Sequence, residues 1–325
     1  MATVVVFGAT GVQGGSVVNR LLKNPKYKVR AVTRNPDGEA GKKLASQGVE
    51  VVAGDANDKA SVEAAFKGAE AAFFVAAYWP SVATLGLVGA GEEELVQYQN
   101  VAHAAAASPT LKHLVLSTLP PADKSSGGRL KVPHYDFKAY AVDWIQRTLP
   151  ELWAKTTEVW PGFYDSNFAA FAMVKPLYLA AADAYLIPMP AKKSSILPVV
   201  GSVETNLGVA VEAILTTGAP AFSKLLVLVT DYVAAGDVPA YFSRATGKRA
   251  VFLEYSDADI ITVFGIHGDE YAASMRWAAE FPVWEDPKVV ADRTRLLTLE
   301  QVGLSKADLV GFDAGLALIK DKLVQ

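Results

Sequence analysis

Thr3 to Phe7 is an unbroken apolar run that stops at Gly8-Ala-Thr-Gly11-Val-Gln-Gly14, and a helix pattern starts inside that loop. An apolar run of this length, with no polar alternation, reads as a strand covered on both faces. The following helix places Val17, Val18, Leu21 and Leu22 on one side and ends near Asn24-Pro25. The same alternation then continues. Strands are predicted at Tyr27–Thr33, Val49–Ala53, Ala71–Val75, His113–Ser117 and Lys155–Trp160. Between them lie helices near Ala40–Ser46, Ser61–Phe66, Glu92–Ala107 and His134–Arg147. Six apolar strands joined by helical crossovers specify an α/β fold with a parallel, doubly wound sheet.

The regular alternation fades after Trp160-Pro161-Gly162. Residues 1–160 are read as a Rossmann domain and 161–325 as a smaller mixed domain. The latter has helices at Val203–Leu215, Val238–Thr246, Glu270–Ala279 and Asp308–Leu323. A strand at Ala250–Glu254 belongs to it, and one near Leu225–Val229 is expected to return to the main sheet.

Composition narrows the chemistry. The 325 residues include no cysteine, which removes disulfides, thiolate catalysis and Fe–S ligation. The four histidines (His103, His113, His134, His267) form no HxH or HExxH pattern, so no metal site is expected. A net charge of −3 without a basic run gives no footprint for nucleic acid or an anionic membrane. With the first strand starting at Thr3, no signal peptide is read, and a cytoplasmic protein is expected, nuclear if its role is regulatory. Ala71 to Gly91 carries no charge, but Pro80 and three glycines argue for a buried strand entering a cavity-lining loop rather than a membrane helix.

The glycine loop carries the clearest chemical signal. In this strand–turn–helix context Gly8 permits the turn, Gly11 lets backbone approach a pyrophosphate, and Gly14 lets helix and strand pack closely. The helix N-terminus offers free N–H groups and a positive dipole end to phosphates. The second strand ends Val32-Thr33-Arg34-Asn35-Pro36, with no acid until Asp37. A guanidinium there favours a ribose 2′-phosphate, hence NADP(H) over NAD(H). Asp55 after the third strand can accept from an adenine amino group or cap the next helix, a role Asn57 and Asp58 also suit. Ala76 and Ala77 would let a dinucleotide lie across the strand ends, and Tyr78 and Trp79 offer aromatic surface to cofactor or substrate, or to the core.

The run Val-Val-Val-Phe-Gly-Ala-Thr-Gly-Val-Gln-Gly-Gly-Ser-Val resembles the NmrA-like family of atypical short-chain dehydrogenase/reductases. So do Val-Thr-Arg-Asn-Pro, Gly-Asp-Ala-Asn-Asp, Val132-Pro133-His134-Tyr135-Asp136-Phe137-Lys138 and Trp160-Pro161-Gly162-Phe163-Tyr164-Asp165-Ser166-Asn167-Phe168. The resemblance covers most of residues 3–170. It implies that phosphates meet Gly8, Ala9, Thr10, Gly11, Val12, Gln13 and Gly14, with the 2′-phosphate at Arg34 and Asn35. Adenine would lie near Asp55 and Ala56. The ribose and nicotinamide would lie near Ala76, Ala77, Tyr78, Lys138, Pro161, Gly162, Phe163 and Tyr164. The family holds reductases and also redox sensors that bind a protein partner.

Ordinary short-chain dehydrogenases carry a Tyr four residues before the Lys. Here His134 stands at that position and Tyr135 at i−3, both within reach of Lys138 on a helix starting at Pro133. The proton donor is expected among His134, Tyr135 and Lys138, with Ser117 and Thr118 at a strand end facing a substrate carbonyl. The alternative leaves Lys138 as a ribose clamp only. The substrate-facing set is Tyr78, Trp79, Tyr164 and Asn167. The cluster Trp160, Phe163, Tyr164, Phe168 and Phe171 suggests a small apolar carbonyl or enone substrate, though core packing suits Phe168 and Phe171. Three functions follow: an NADPH-dependent reductase, an NADP(H) sensor with a protein partner, or an enzyme that uses the fold for isomerisation or elimination without net redox change.

Overall fold

In a computed structural model describing residues 1–324, β1 (Ala2–Val6) lies between β2 (Tyr27–Thr33) and β4 (Ala71–Phe74). Beyond β2 comes β3 (Glu50–Ala53), and beyond β4 come β5 (His113–Ser117) and β6 (Thr156–Pro161). Two further strands, Leu225–Leu228 and Leu296–Leu297, extend the sheet past β6, and all eight run parallel. The strand order reverses between β1 and β4. In such a sheet, ligands enter the crevice at the carboxyl ends of the strands flanking this switch point.

The sheet is covered on both faces, which is why its central strands are apolar throughout. One core unites Val4, Val6, Val17, Leu21 and Leu207, and the other unites Val5, Phe7, Phe74, Tyr98 and Leu114. The predicted return of a strand near Leu225 is observed. The chain after residue 160 therefore does not stand apart: helix Val203–Thr217 packs on α1 (Val12–Leu21). Gly208 is the contact point. A Cβ there would run into the Ser16 carbonyl, and the Gly208 N–H donates to Ser16 Oγ at 2.9 Å. Gly208→Val is expected to cost about 1–3 kcal/mol, the usual penalty for overpacking, readable as a lowered denaturant midpoint.

Two small sheets complete the fold. Phe163–Tyr164, Ile196–Gly201 and Asp231–Ala234 form one, and Leu177–Leu179, Ala184–Met189 and Ala250–Glu254 form the other. The expected C-terminal helix is instead three short pieces, Lys306–Asp308, Phe312–Leu318 and Lys320–Leu323.

The charge-free segment departs from expectation. After β4 the chain turns at 75–78 and enters a helix, Trp79–Ala107, rather than a loop. Gly86 breaks that helix with φ 73° and ψ 176°, a conformation only glycine adopts without strain. Among the described residues no helix is long and apolar enough to cross a membrane.

Candidate active site at the strand ends

The glycine loop has the geometry its sequence implies. Gly8 sits at φ 63°, and the Gly11 N–H donates to the Gly8 carbonyl at 2.9 Å. A Cβ on Gly14 would collide with that same carbonyl, so strand end and helix start touch backbone to backbone. Gly11 is extended at the start of α1, and no side chain caps the helix. The first N–H groups of α1 are thus left for an external acceptor. Ala9 is buried, whereas Thr10, Gly11 and Val12 reach the surface.

At the end of β2, Arg34 and Asn35 are exposed, and no ion pair of Arg34 exists among the described residues. Asp55 is half-buried; its Oδ1 accepts from Asn57 N at 2.9 Å, leaving Oδ2 uncommitted. The capping role falls to Asp58, which accepts from Ala60 N. Ala56 carries a further constraint, its carbonyl accepting from Asn100 Nδ2 at 2.9 Å.

A cavity of about 640 Å³ opens beside the loop. Val12, Gln13, Ala76, Ser117, Pro161, Gly162, Phe163 and Tyr164 line it. So do Trp79, His134, Tyr135, Asn167, Phe171 and Trp284. Gly162 permits this closeness, since a Cβ there would lie 2.6 Å from the Pro198 carbonyl. Phe171 lines the cavity, contrary to its expected core role. Phe168 is buried against Phe163 and Phe312, and Trp160 is turned away, its indole N–H bonded to Thr118 Oγ1 at 2.9 Å. Neither of those two lines the cavity.

Tyr78 lies inside the core. Its ring is 1% exposed, its hydroxyl donates to the Leu87 carbonyl at 3.0 Å, and it does not line the cavity. The turn after β4 sends it into the core, beneath Lys138, whose Nζ lies 5.7 Å from the ring centre. Trp79, half-buried, lines the cavity instead, packed against His134, Phe171 and His267. Ala77 is exposed and outside the lining.

Lys138 lines the cavity but is fully engaged. Its Nζ donates to both carboxylate oxygens of Glu94, at 2.7 and 2.8 Å, and to the His134 carbonyl at 3.0 Å. Three acceptors match the three hydrogens of an ammonium. Glu94 is completely buried, and burial pushes its carboxyl up while Lys138 pulls it down. We read the pair as ionised, because the contact is two-pronged and short. Glu94 was missed from sequence, where it stands as the third of three consecutive glutamates.

The other expected groups differ in their freedom. Burial, with Lys138 adding to it, drives the His134 imidazole well below its ordinary pKa, so it is neutral. Thr118 donates to Glu158 at 2.8 Å. The Tyr164 hydroxyl is taken by Gln13 Nε2. By contrast, the Ser117 and Tyr135 hydroxyls have no hydrogen bond to described residues, and Gln13 Oε1 is buried without a partner. Tyr135 is raised above its ordinary range, chiefly by burial and then by Glu270, and so stays a neutral phenol.

A reversed-order parallel sheet, a glycine turn on an uncapped helix and a cavity at the switch point define a Rossmann-type dinucleotide-binding fold. The profile of the NmrA-like family matches residues 1–302, and the chain belongs to that family. One relative is the NmrA-like family domain-containing oxidoreductase notA of Aspergillus sp. (strain MF297-2). It is 38% identical over 154 residues, 43% of this chain and 42% of that protein, so the match spans about two fifths of the relative's length. Among solved structures, NmrA, a negative transcriptional regulator in complex with NAD, superposes with a TM-score of 0.73 at 21% identity, over 99% of this chain and 97% of that one. Citrobacter sp. triphenylmethane reductase complexed with NADP(H) gives 0.69 at 20% identity, over 98% and 99%. At these identities the structural likeness speaks for the fold.

Proposed function

We propose that this chain binds NADP(H) and reduces an apolar carbonyl or enone compound held in the cavity. The cavity carries the reading: about 640 Å³ of mostly apolar and aromatic wall, beside the glycine turn, with a few unpartnered polar groups facing in. That is the make-up of a small-molecule site. The NADP(H) complex of the Citrobacter reductase and the oxidoreductase name of the Aspergillus relative support it.

The residues present fit a dinucleotide. The uncapped start of α1 and the Gly8–Gly14 contact leave amides for phosphates, and the orphaned Gln13 Oε1 lies where a polar ligand group would satisfy it. Arg34 and Asn35 would hold the 2′-phosphate, and Asp55 and Ala56 the adenine. Ala76 and Pro161 to Phe163 would bear on the nicotinamide end. A bound nicotinamide supplies the hydride. The chain then has to exclude water, which the aromatic wall does, and to hold a proton at the substrate oxygen. Tyr135 is assigned that proton, with Ser117 as the second hydroxyl on the oxygen. Lys138, saturated by Glu94 and the His134 carbonyl, holds its stretch of helix in place without delivering a proton itself.

The test is NADPH oxidation with two probes, 9,10-phenanthrenequinone and trans-chalcone, alongside fluorescence titration of NADPH and NADH. NADPH consumption with at least one probe is expected; tight binding with no consumption by either would overturn the reductase reading in favour of a sensor. Arg34→Ala removes a charge-assisted pair of about 1.5–3 kcal/mol, about 10- to 150-fold in Kd. This loss is expected for NADPH and not for NADH. Equal losses would overturn the 2′-phosphate assignment.

A further inference from the structure

The helix bearing His134, Tyr135 and Lys138, Pro133–Thr148, has an unusual start. Val132 at its N-cap has no side-chain oxygen, and Pro133 has no N–H. The amides of Tyr135 and Asp136 both bond the Val132 carbonyl at 2.8 Å, and Asp136 turns back to accept from Val132 N at 2.8 Å. The His134 amide is therefore the first-turn N–H that needs an acceptor from elsewhere. It finds one 136 residues away: Glu270, on helix Ile266–Glu280, takes it on Oε1 at 2.6 Å.

Glu270 is 1% exposed, and its other oxygen, Oε2, is buried with no partner. A buried carboxyl with one oxygen committed and the other orphaned is costly to keep for packing alone. We propose that Glu270 is a positioning residue for the reaction, capping the Pro133–Thr148 helix from the C-terminal part of the chain and so fixing His134 and Tyr135 against the cavity. The proposal rests on the reductase reading for its catalytic consequence, but not for the cap itself. The two ends of this helical segment are then pinned independently. Glu94 anchors Lys138 from one side, and Glu270 anchors His134 from the other. Tyr135 lies between the two anchors, on the segment they hold against the cavity.

The orphaned oxygen gives the cap a pH dependence. Glu270 is pushed up to about 7, chiefly by burial, with the His134 amide and Lys138 opposing and Asp136 and Asp269 adding to the rise. Tyr78 and Tyr135 also face it, and each is itself raised by its charge. As pH rises through 7, Glu270 ionises while buried with Oε2 unpartnered. Because its pKa is raised above that of a solvated carboxyl, the capped state then loses stability relative to an opened, solvated one. Gln at this position imitates the protonated acid: it can accept from His134 but cannot titrate.

Hydrogen–deuterium exchange of the His134–Lys138 segment tests the cap without any need for turnover. In the parent, protection corrected for intrinsic exchange is expected to fall across pH 6–8, as the raised carboxyl loses its proton. Glu270→Ala should exchange at least about ten-fold faster there, with unchanged circular dichroism. Glu270→Gln should recover protection to within about three-fold and lose the pH step. With 9,10-phenanthrenequinone as probe, Glu270→Ala should lower kcat about ten-fold and leave the NADPH Kd within about two-fold. Unchanged exchange in the Ala variant, equal impairment in the Gln variant, or parallel losses of kcat and NADPH affinity would each overturn the proposal. Should the parent itself consume no NADPH, the reductase reading fails and the exchange measurement still decides the cap.

Discussion

Glu94→Ala is expected to destabilise the protein by about 3–5 kcal/mol, the cost of leaving a buried charge without its partner. The side chains of Lys138 and Glu94 are 7% and 0% exposed, so water cannot replace what the substitution removes. Lys138 would keep one acceptor, the His134 carbonyl, and two unmet hydrogens in an apolar wall. The same argument predicts a rescue. Replacing both partners, as in Glu94→Leu with Lys138→Met, should restore most of the stability, because apolar groups of similar volume remove the desolvation cost on both sides. Urea unfolding of the two single variants and the double variant closes the cycle. A Glu94→Ala loss under about 1 kcal/mol would mean that Lys138 reaches water or has deprotonated, and the pair would not be the anchor described above. NADPH affinity should follow stability only in the singles.

Local patterns in the sequence were reliable. Thr3–Phe7 and the strands at 71–74 and 113–117 announced themselves through short runs dominated by apolar residues, because burial on both faces leaves a signal within five or six residues, and the others through the alternation with helices. The Gly8 turn and the Gly14 contact were likewise readable, since only glycine meets both demands. What stayed hidden is non-local. Glu94 reaches Lys138 across 44 residues and Glu270 reaches His134 across 136, and no spacing rule links them. The eighth strand is two residues long, Leu296–Leu297, too short for any periodicity. Tyr78 and Trp79 are neighbours of similar character. Which one faces the ligand is set by the turn after β4 and the break at Gly86, not by residue type. Phe171 and Phe168 were inseparable for the same reason.

Tyr135→Phe is expected to lower kcat about a hundred-fold or more, the scale of losing a positioned proton donor, while NADPH Kd stays within about two-fold. The assignment follows by elimination among the groups at the cavity wall. His134 is neutral and its imidazole is pushed far from the charged form that would release a proton. Lys138 has three acceptors for three hydrogens. The hydroxyls of Thr118 and Tyr78 donate to Glu158 and the Leu87 carbonyl. Tyr164 accepts from Gln13 Nε2 and keeps its own proton, so two phenols line the cavity. Tyr135 is preferred because it stands three residues before Lys138 on one helix and its hydroxyl has no hydrogen bond to described residues. Burial raises it so that it carries its proton at neutral pH. A phenol raised in this way is a poor acid toward water. It can still give its proton to the more basic alkoxide oxygen that hydride addition to a carbonyl creates. Ser117 would contribute a second hydrogen bond to that oxygen, so Ser117→Ala should cost less than Tyr135→Phe. The pair of variants separates the roles: Tyr135→Phe changes kcat at every pH, with KM nearly unchanged, and Ser117→Ala raises KM as well. A Tyr135→Phe enzyme with parental kcat would move the proton to His134 or to a bound water, and would leave Tyr135 as part of the wall.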